Sequence, residues 1–172
     1  MSDEWKTPEW LYSNLDREFR FDFDPCPLGP GFDGLECEWG QRNFVNPPYS
    51  RKLKSAFVIR AANLAQFEGK MSVLLLPTST SSDLFHQVIL PNSSEIRFIR
   101  GRVKFAGKTA TGAVATDSAA FDSMVVVFRG LDHASPYMRS MDGQPYWPSH
   151  VPEVISSETI TARYKRTVGG TR

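Results

Sequence analysis

The sequence predicts an α/β domain, in which helices pack on the faces of a β-sheet. Apolar runs typical of buried strands occur at residues 43–45 and 123–129, and the segment 52–66 carries apolar residues at helical spacing. In open sheets of this class, ligands bind beyond the carboxyl ends of the strands. Asp24 and Asn46 each end or follow a predicted strand, so they are the first candidates for a functional site.

The N-terminal part of the chain is predicted to form a helix, a strand and a loop. Thr7 is predicted to cap the helix, with Pro8 at its first position. The helix is predicted to end near residues 17–19. Alternating Phe and Asp over residues 21–24 then predict a short strand. Three prolines and three glycines within residues 25–34 predict an irregular loop.

Further elements are predicted along the rest of the chain. They are a helix over 52–66 ended by Gly69, a strand over 72–76, a helix over 82–90 capped by Ser81 or Ser82, a strand pair or one bent strand from 96–99 and 103–105, and a strand over 123–129. Small residues over 107–120 predict a mobile loop. We expect one domain over residues 1–150 and a polar, partly disordered tail over 151–172.

Composition narrows the class of protein. The chain has 172 residues, of which 41% are hydrophobic, enough for the core of one domain. No run approaches the roughly 20 apolar residues of a membrane span, and the N-terminus lacks a basic segment followed by an apolar one. The two cysteines, Cys26 and Cys37, suit neither a disulfide framework nor a metal site with the three histidines. We therefore expect a cytoplasmic protein with no membrane association and no metal.

Positive charge is clustered although the net charge is only +1. One cluster consists of Arg97, Arg100, Arg102, Lys104 and Lys108, and the other of Arg51, Lys52 and Lys54. Clustered cations are compatible with a surface that binds phosphates, and equally with a solvated basic edge. Charge alone leaves both interpretations open.

The tetrapeptide Asn46-Pro47-Pro48-Tyr49, called the NPPY segment below, predicts a specific chemistry. The exocyclic amino group of a base is a poor nucleophile because its lone pair is delocalised into the ring. An enzyme frees this lone pair by accepting both amino hydrogens, for which Asn46 offers an amide oxygen and Pro47 a backbone carbonyl. The two prolines stiffen the loop, and Tyr49 offers an aromatic face for stacking. A rigid turn after a strand is the alternative interpretation.

Several blocks of the sequence, in order, resemble the small phage-encoded adenine DNA methyltransferases, the phage Dam-like family. The NPPY segment is the signature of amino-methyltransferases. The matching blocks are Trp5-Lys6-Thr7-Pro8, Phe21-Asp22-Phe23-Asp24-Pro25-Cys26, Asp33-Gly34-Leu35 with Trp39, the NPPY segment with Ser50, Leu75-Leu76-Pro77 with Phe85-His86, Ile99-Arg100-Gly101-Arg102-Val103-Lys104-Phe105, and Val126-Val127-Phe128-Arg129. Together they span most of the chain.

This resemblance implies a Rossmann-like class I methyltransferase sheet with helices on both faces, in a compact, minimal version. It also implies S-adenosylmethionine as the methyl donor. Thr7 and Pro8 would lie against the methionine end of the donor, Asp24 would hold its amino or ribose groups, and Asp33 would lie near its adenine. The remaining cofactor contacts implied by the matching blocks are Pro25, Cys26, Leu35 and Asn46.

The acceptor that the resemblance implies is adenine in double-stranded DNA, which must be flipped out of the helix to reach the NPPY segment. Phosphate contacts would come from Arg51, Lys52, Arg100, Arg102, Lys104 and Lys108, and the 107–120 loop would also touch DNA. We expect a monomer or weak dimer, acting in the cytoplasm of a host cell on phage DNA or in restriction-modification. The sequence indicates no recognition domain, so short or relaxed specificity is expected.

Other functions fit the same chemistry. Amino-methyltransferases that act on RNA adenine, cytosine N4 or protein glutamine share the tetrapeptide. A non-catalytic DNA-binding relative with the same fold is the alternative from another class. Intact Asn46 and Tyr49 argue against such a relative, because a decayed site has no need of both.

Overall fold

The computed structural model describes residues 6–29, 31–108 and 114–129, with the backbone alone for 106–108 and 114–118. The helices are α1 (Glu9–Phe19), α2 (Arg51–Glu68) and the short α3 (Leu90–Asn92), which continues a π-helix over Phe85–Ile89. The strands are β1 (Arg42–Val45), β2 (Met71–Pro77), β3 (Glu95–Phe98), β4 (Lys104–Lys108), β5 (Val114–Ser118) and β6 (Ser123–Phe128).

Four strands form a mixed sheet in the order β1-β2-β6-β3. β1 and β2 are parallel, and β6 is antiparallel to both β2 and β3, so β1, β2 and β3 all point the same way. Their carboxyl ends meet at one edge, called the carboxyl edge below. The strand predicted over 21–24 is reduced to one parallel bridge between Phe23 and Asn43, which adds this segment beside β1.

A second, two-stranded sheet pairs β4 with β5. The sequence prediction of a pair between 96–99 and 103–105 is therefore wrong, because β3 pairs with β6 instead. Gly101, with φ 79°, turns the chain from one sheet to the other. The prediction of a loop over 107–120 is also wrong for Val114–Ser118, which form β5. Residues 109–113 of the predicted loop lie outside the described part of the chain. Val114 and Thr116 favour a strand through their β-branched side chains.

Helices lie on both faces of the main sheet, which confirms the predicted α/β class. One face packs α1, through Leu11, Leu15 and Phe19, together with β4. The opposite face packs α2 and the π-helix. Alternate residues of each strand serve opposite faces, as with Leu74 and Leu75 of β2. All six residues of β6 are buried, as its apolar run predicts.

Helix boundaries follow most of the predicted signals. α2 ends before Gly69, which has φ 65°, and Ser82 Oγ accepts the Phe85 amide at 3.2 Å, so the predicted stop and one predicted cap are confirmed. The prediction of Thr7 as the cap of α1 is wrong. Pro8 occupies the capping position, where its carbonyl accepts the amides of Leu11 and Tyr12, and Thr7 forms a different contact described below.

None of the helices in the described part of the chain combines the length and apolarity that a membrane span requires. The boundary expected near residue 150 and the tail expected over 151–172 lie outside the described residues. Both stay predictions.

Candidate active site

The NPPY segment lies at the carboxyl edge, between β1 and α2. Phe44 and Val45 are buried in opposite faces of the sheet, which anchors the strand that leads into the segment. Pro47 is buried and Asn46 is half-buried. Because proline cannot donate to a strand ladder, the two prolines end β1 and turn the chain toward α2. Asn46 therefore stands on a stiff, well-anchored corner.

Two hydroxyl groups hold the amide of Asn46. Its Nδ2 donates to Thr7 Oγ1 at 3.1 Å, across 39 residues of sequence. Its Oδ1 accepts from the Tyr49 hydroxyl at 3.0 Å. The amide therefore has a defined polarity, with its nitrogen toward the segment before α1 and its oxygen toward Tyr49.

Tyr49 is packed among aromatic side chains. Its ring makes edge contacts with Phe105 of β4 and with Phe121, at centroid distances of 6.1 and 5.2 Å. Burial raises the pKa of the Tyr49 hydroxyl, which keeps it protonated and able to donate to Asn46. The two-stranded sheet thus supports the catalytic candidate from one side.

A cleft of about 680 Å³ opens beside Asn46, and we call it the first cleft. Its lining is mainly apolar and comes from the 25–35 loop, the NPPY segment and α2. The lining residues are Pro25, Cys26, Pro27, Leu28, Gly29, Gly31, Phe32, Asp33, Gly34, Leu35, Asn46, Pro48, Leu53 and Phe57. Asp33 is the one charged residue of this lining in the described part of the chain.

A second cleft, of about 430 Å³, opens on the other side of Asn46. Its lining is more polar and includes the charged side chains of Lys6, Glu9 and Asp24 beside Thr7 and Tyr12. Both clefts share Asn46 and the 26–28 segment. Asn46 therefore lies at the junction of an apolar cleft and a polar one.

Asp24 is the half-buried acid of the second cleft. Loss of hydration raises the pKa of its carboxyl group to about 6, while the Cys26 amide, donating to Oδ1 at 2.7 Å, acts in the opposite direction. A carboxylate that is short of hydration gains from a cationic or hydroxyl partner. Asp24 follows the bridge at Phe23 and lies beside a cavity, and its role in holding the cofactor stays a prediction.

Asp33 and Leu35 shape the first cleft through a turn. Asp33 Oδ1 accepts the Leu35 amide at 2.8 Å, and its carbonyl accepts the amides of Glu36 and Cys37. Gly34 sits inside this turn, where an added Cβ would lie 1.9 Å from the Pro25 carbonyl oxygen. The turn therefore packs directly on the backbone that follows Asp24.

The remaining cofactor candidates occupy different positions. Pro25 and Cys26 line the first cleft, and Cys26 also lines the second. Burial raises the pKa of the Cys26 thiol, so it is a poor nucleophile. Pro8 caps α1 and lies outside both linings. Within the described residues, no three His, Cys, Asp or Glu side chains come together as a metal site would require.

The basic candidates lie on the surface in two groups. Arg100 and Arg102 are exposed between β3 and β4, and Lys104 is exposed at the start of β4. Arg51 and Lys52 are exposed in the first turn of α2. That first turn contains no acidic residue, so its cations face the positive end of the helix dipole without compensation. The side chain of Lys108 lies outside the described part.

Arg97 differs from its neighbours in the predicted basic cluster. Its guanidinium contacts Glu18 of α1 and Glu95 of β3, both at 2.5 Å, and lies over the Phe19 ring. These contacts tie α1 to the edge of the sheet. Arg97 therefore stabilises the fold through these contacts, unlike the exposed cations near it in the sequence. The spacing of charges in the sequence does not reveal this difference.

Sequence reasoning did not identify several residues around the site. Phe105 and Phe121 contact Tyr49 from more than 50 residues away, and Tyr12 and Glu9 line the second cleft from α1. The helical spacing of α1 could have identified Tyr12 as a half-buried position. No local signal identifies the aromatic partners of Tyr49.

Comparison with known proteins gives one match. A family model described as DNA N-6-adenine-methyltransferase (Dam) matches residues 1–144, which include every described residue of the two clefts and the NPPY segment. The chain has no match among curated proteins and none among solved structures.

Proposed function

The chain belongs to the Dam family of DNA N-6-adenine-methyltransferases, and we propose that it transfers a methyl group from S-adenosylmethionine to N6 of adenine in double-stranded DNA. Methylation of adenine N6 in DNA is the activity that describes the family. The observation that carries the fuller proposal is the position of Asn46, on a stiff corner at the junction of two clefts.

The strand arrangement supports a Rossmann-like methyltransferase sheet in a minimal version. Three strands share one direction and end at the same edge, where α/β sheets bind their ligands. Both Asp24 and Asn46 lie there. The match over residues 1–144 supports a single catalytic domain close to the expected 1–150.

The chemistry of the two clefts fits the methyl donor. S-adenosylmethionine has a flat adenine at one end and a charged amino acid at the other. The apolar first cleft, with Phe32 and Leu35, suits the ring, and Asp33 at its rim suits an amino or hydroxyl group. The second cleft, with Asp24 and Thr7, suits the charged end. When bound, the donor supplies a methyl group activated by a positively charged sulfur.

Asn46 and Pro47 carry the catalytic role in this proposal. The Asn46 amide oxygen and the Pro47 carbonyl accept the two hydrogens of the adenine amino group, which localises the nitrogen lone pair for attack on the methyl carbon. Pro48 stiffens the loop, and Tyr49 provides an aromatic surface for the base. The nitrogen gains the methyl group and releases one proton, so no covalent enzyme intermediate is needed.

An adenine within a duplex cannot reach a half-buried asparagine, so the proposal includes base flipping. We propose that exposed cations hold the phosphates on either side of the flipped base. They are Arg51 and Lys52 on α2 and Arg100, Arg102 and Lys104 beyond β3. Phosphate contacts position DNA without reading its sequence, so we propose short or relaxed specificity. Such an enzyme would act as a monomer or weak dimer in the compartment that holds the DNA.

The test is incubation of the chain with a labelled methyl donor and several acceptors, namely duplex DNA, RNA and protein, followed by analysis of the modified product. We expect N6-methyladenine from duplex DNA. Label in cytosine N4, in RNA alone or in protein glutamine would overturn the choice of acceptor. Binding of DNA without any binding of S-adenosylmethionine would show a non-catalytic relative.

A further inference from the structure

We propose that Thr7 is a positioning residue for the catalytic amide, through its hydrogen bond to Asn46. This inference rests on the proposed function. It gives Thr7 a second role, orientation of the Asn46 amide, beside its predicted contact with the cofactor. Thr7 Oγ1 accepts from Asn46 Nδ2 at 3.1 Å, from a segment that precedes α1. When Thr7 accepts in this bond, the Nδ2 end of the amide faces Thr7 and the Oδ1 end faces Tyr49.

The orientation of an asparagine amide matters because its two ends have opposite hydrogen-bonding character. In the structure Oδ1 accepts from the Tyr49 hydroxyl, and an amide oxygen has a second lone pair with which it can accept from the adenine amino group of the proposed reaction. The flipped amide would present Nδ2, a donor, to an amino group that itself donates. Only the orientation that points Oδ1 at the base can therefore accept a hydrogen bond from its amino group.

Tyr49 cannot select this orientation by itself. A hydroxyl group both donates and accepts, so the Tyr49 hydroxyl could pair with Oδ1 or, after a flip, with Nδ2. The same ambiguity holds for Thr7 if its proton is free to turn toward Asn46. A second constraint on the Thr7 hydroxyl removes this ambiguity from the Thr7–Asn46 pair.

The second cleft provides that constraint, because Thr7 lines it. A hydroxyl has one proton. If Thr7 donates that proton to an acceptor in the cleft, such as the carboxylate of the methyl donor, its oxygen is left only to accept, and Asn46 must turn Nδ2 toward it. Filling the second cleft thus sets the Asn46 oxygen toward the base.

The test compares Thr7→Val, which keeps the size and removes the hydroxyl, with Thr7→Ser, which keeps the hydroxyl. At saturating donor and DNA, we expect single-turnover methylation to fall about tenfold in Thr7→Val and to recover most of its rate in Thr7→Ser. Wild-type turnover in Thr7→Val together with weakened donor binding would overturn the positioning role.

A second arm uses Asn46→Asp. Both oxygens of a carboxylate accept, so this variant has no orientation to select. We expect Thr7→Val to slow the Asn46→Asp variant by less than about threefold, against about tenfold in the wild type. An equal cost in both backgrounds would show that Thr7 acts only on the donor, and would overturn the inference.

A readout independent of turnover comes from NMR of the Asn46 side-chain amide in ¹⁵N-asparagine-labelled protein. Adding S-adenosylhomocysteine should shift this resonance to a similar extent in the wild type and in Thr7→Ser, and less in Thr7→Val, because Asn46 lines both clefts and only its direct contact with the ligand remains in that variant. An unchanged resonance in the wild type would contradict the link to the second cleft. An inactive wild type would overturn the proposed function, whereas an active wild type with an equally active Thr7→Val overturns only the role of Thr7.

Discussion

The two clefts that meet at Asn46 differ in how they are built. The first is formed largely by the 25–35 loop and is apolar, with Asp33 at its rim. The second is formed by α1, the segment before it and the end of the 21–24 segment, and it contains Asp24 in a setting poor in water. The difference indicates that one molecule with a flat end and a charged end would be held by two independent kinds of interaction, shape in one cleft and charge in the other.

The largest effect is expected where both clefts end, at Asn46. Asn46→Ala removes the acceptor for the amino hydrogen, so we predict that methyl transfer falls by about 10²–10³ or more, while the fold and most of the donor affinity are retained. Single-turnover rates and calorimetric binding measure the two properties separately. Asn14→Ala, at an exposed position of α1, is the matched control. Undiminished turnover in Asn46→Ala would mean that the polarising group lies elsewhere.

The shape of the first cleft is tested at Gly34. A Cβ there would lie 1.9 Å from the Pro25 carbonyl oxygen and 3.1 Å from the Phe57 ring, and a backbone oxygen cannot move aside without displacing the loop. We predict that Gly34→Ala lowers the free energy of unfolding by about 1–3 kcal/mol and weakens donor binding. Gly31→Ala is the control from the same loop, since nothing lies within 4 Å of its added Cβ. Denaturant unfolding of the two variants should separate them clearly, and equal stabilities would contradict the packing argument.

The charge of the second cleft is tested through pH. The Asp24 carboxyl group has a pKa of about 6 and can hold a cation only when it is deprotonated. Below pH 6 the cation must displace a proton, so donor affinity should fall about tenfold per pH unit there and level off above pH 7. The raised pKa also means that the cofactor-free chain loses stability as the pH rises from 3.8 to about 6.

Asp24→Asn should remove the pH dependence of both donor affinity and stability. Calorimetric titration with the donor from pH 5 to 8 measures the pH dependence of the affinity. Glu36→Gln, an exposed acid on the same loop, is the control and should keep the wild-type profile. A pH-dependent affinity that persists in Asp24→Asn would assign the titration to another group.

The smallest effect is expected outside the clefts, on the exposed basic surface. Arg100→Ala with Lys104→Ala should weaken DNA binding on all sequences and reduce the slope of log affinity against log salt by about 2, since each phosphate contact contributes about 0.9. The charge-matched control, Arg17→Ala with Arg20→Ala, removes two exposed cations near the end of α1. Equal salt slopes for the two double variants would contradict the proposal that Arg100 and Lys104 contact DNA phosphates.

The features that sequence predicts well here depend on local patterns. The strand before Asn46, the helix after it and the fully buried β6 follow from the spacing of apolar residues. Prolines locate the NPPY segment at a strand end. Asp24 and Asn46 could therefore be placed at one edge of the sheet before any contact was known.

The features that sequence misses depend on contacts between distant segments. Thr7 looks like a helix cap because Thr-Pro is a common helix start, yet Pro8 takes that position and the Thr7 hydroxyl pairs with Asn46 across 39 residues. Arg97 looks like its basic neighbours until Glu18 is brought beside it. The β3 and β4 strands look like a pair because they are close in the chain, but each finds a better partner later in the sequence.

The attachment of Arg97 to Glu18 has a consequence for the other end of α1. An α-helix is stiff along its axis and rises about 1.5 Å per residue, so pinning its last turn to β3 also fixes how far its first turn extends toward the NPPY segment. Thr7 stands just ahead of that first turn. A surface ion pair more than two helical turns away thus limits how far the Thr7 hydroxyl can move relative to Asn46.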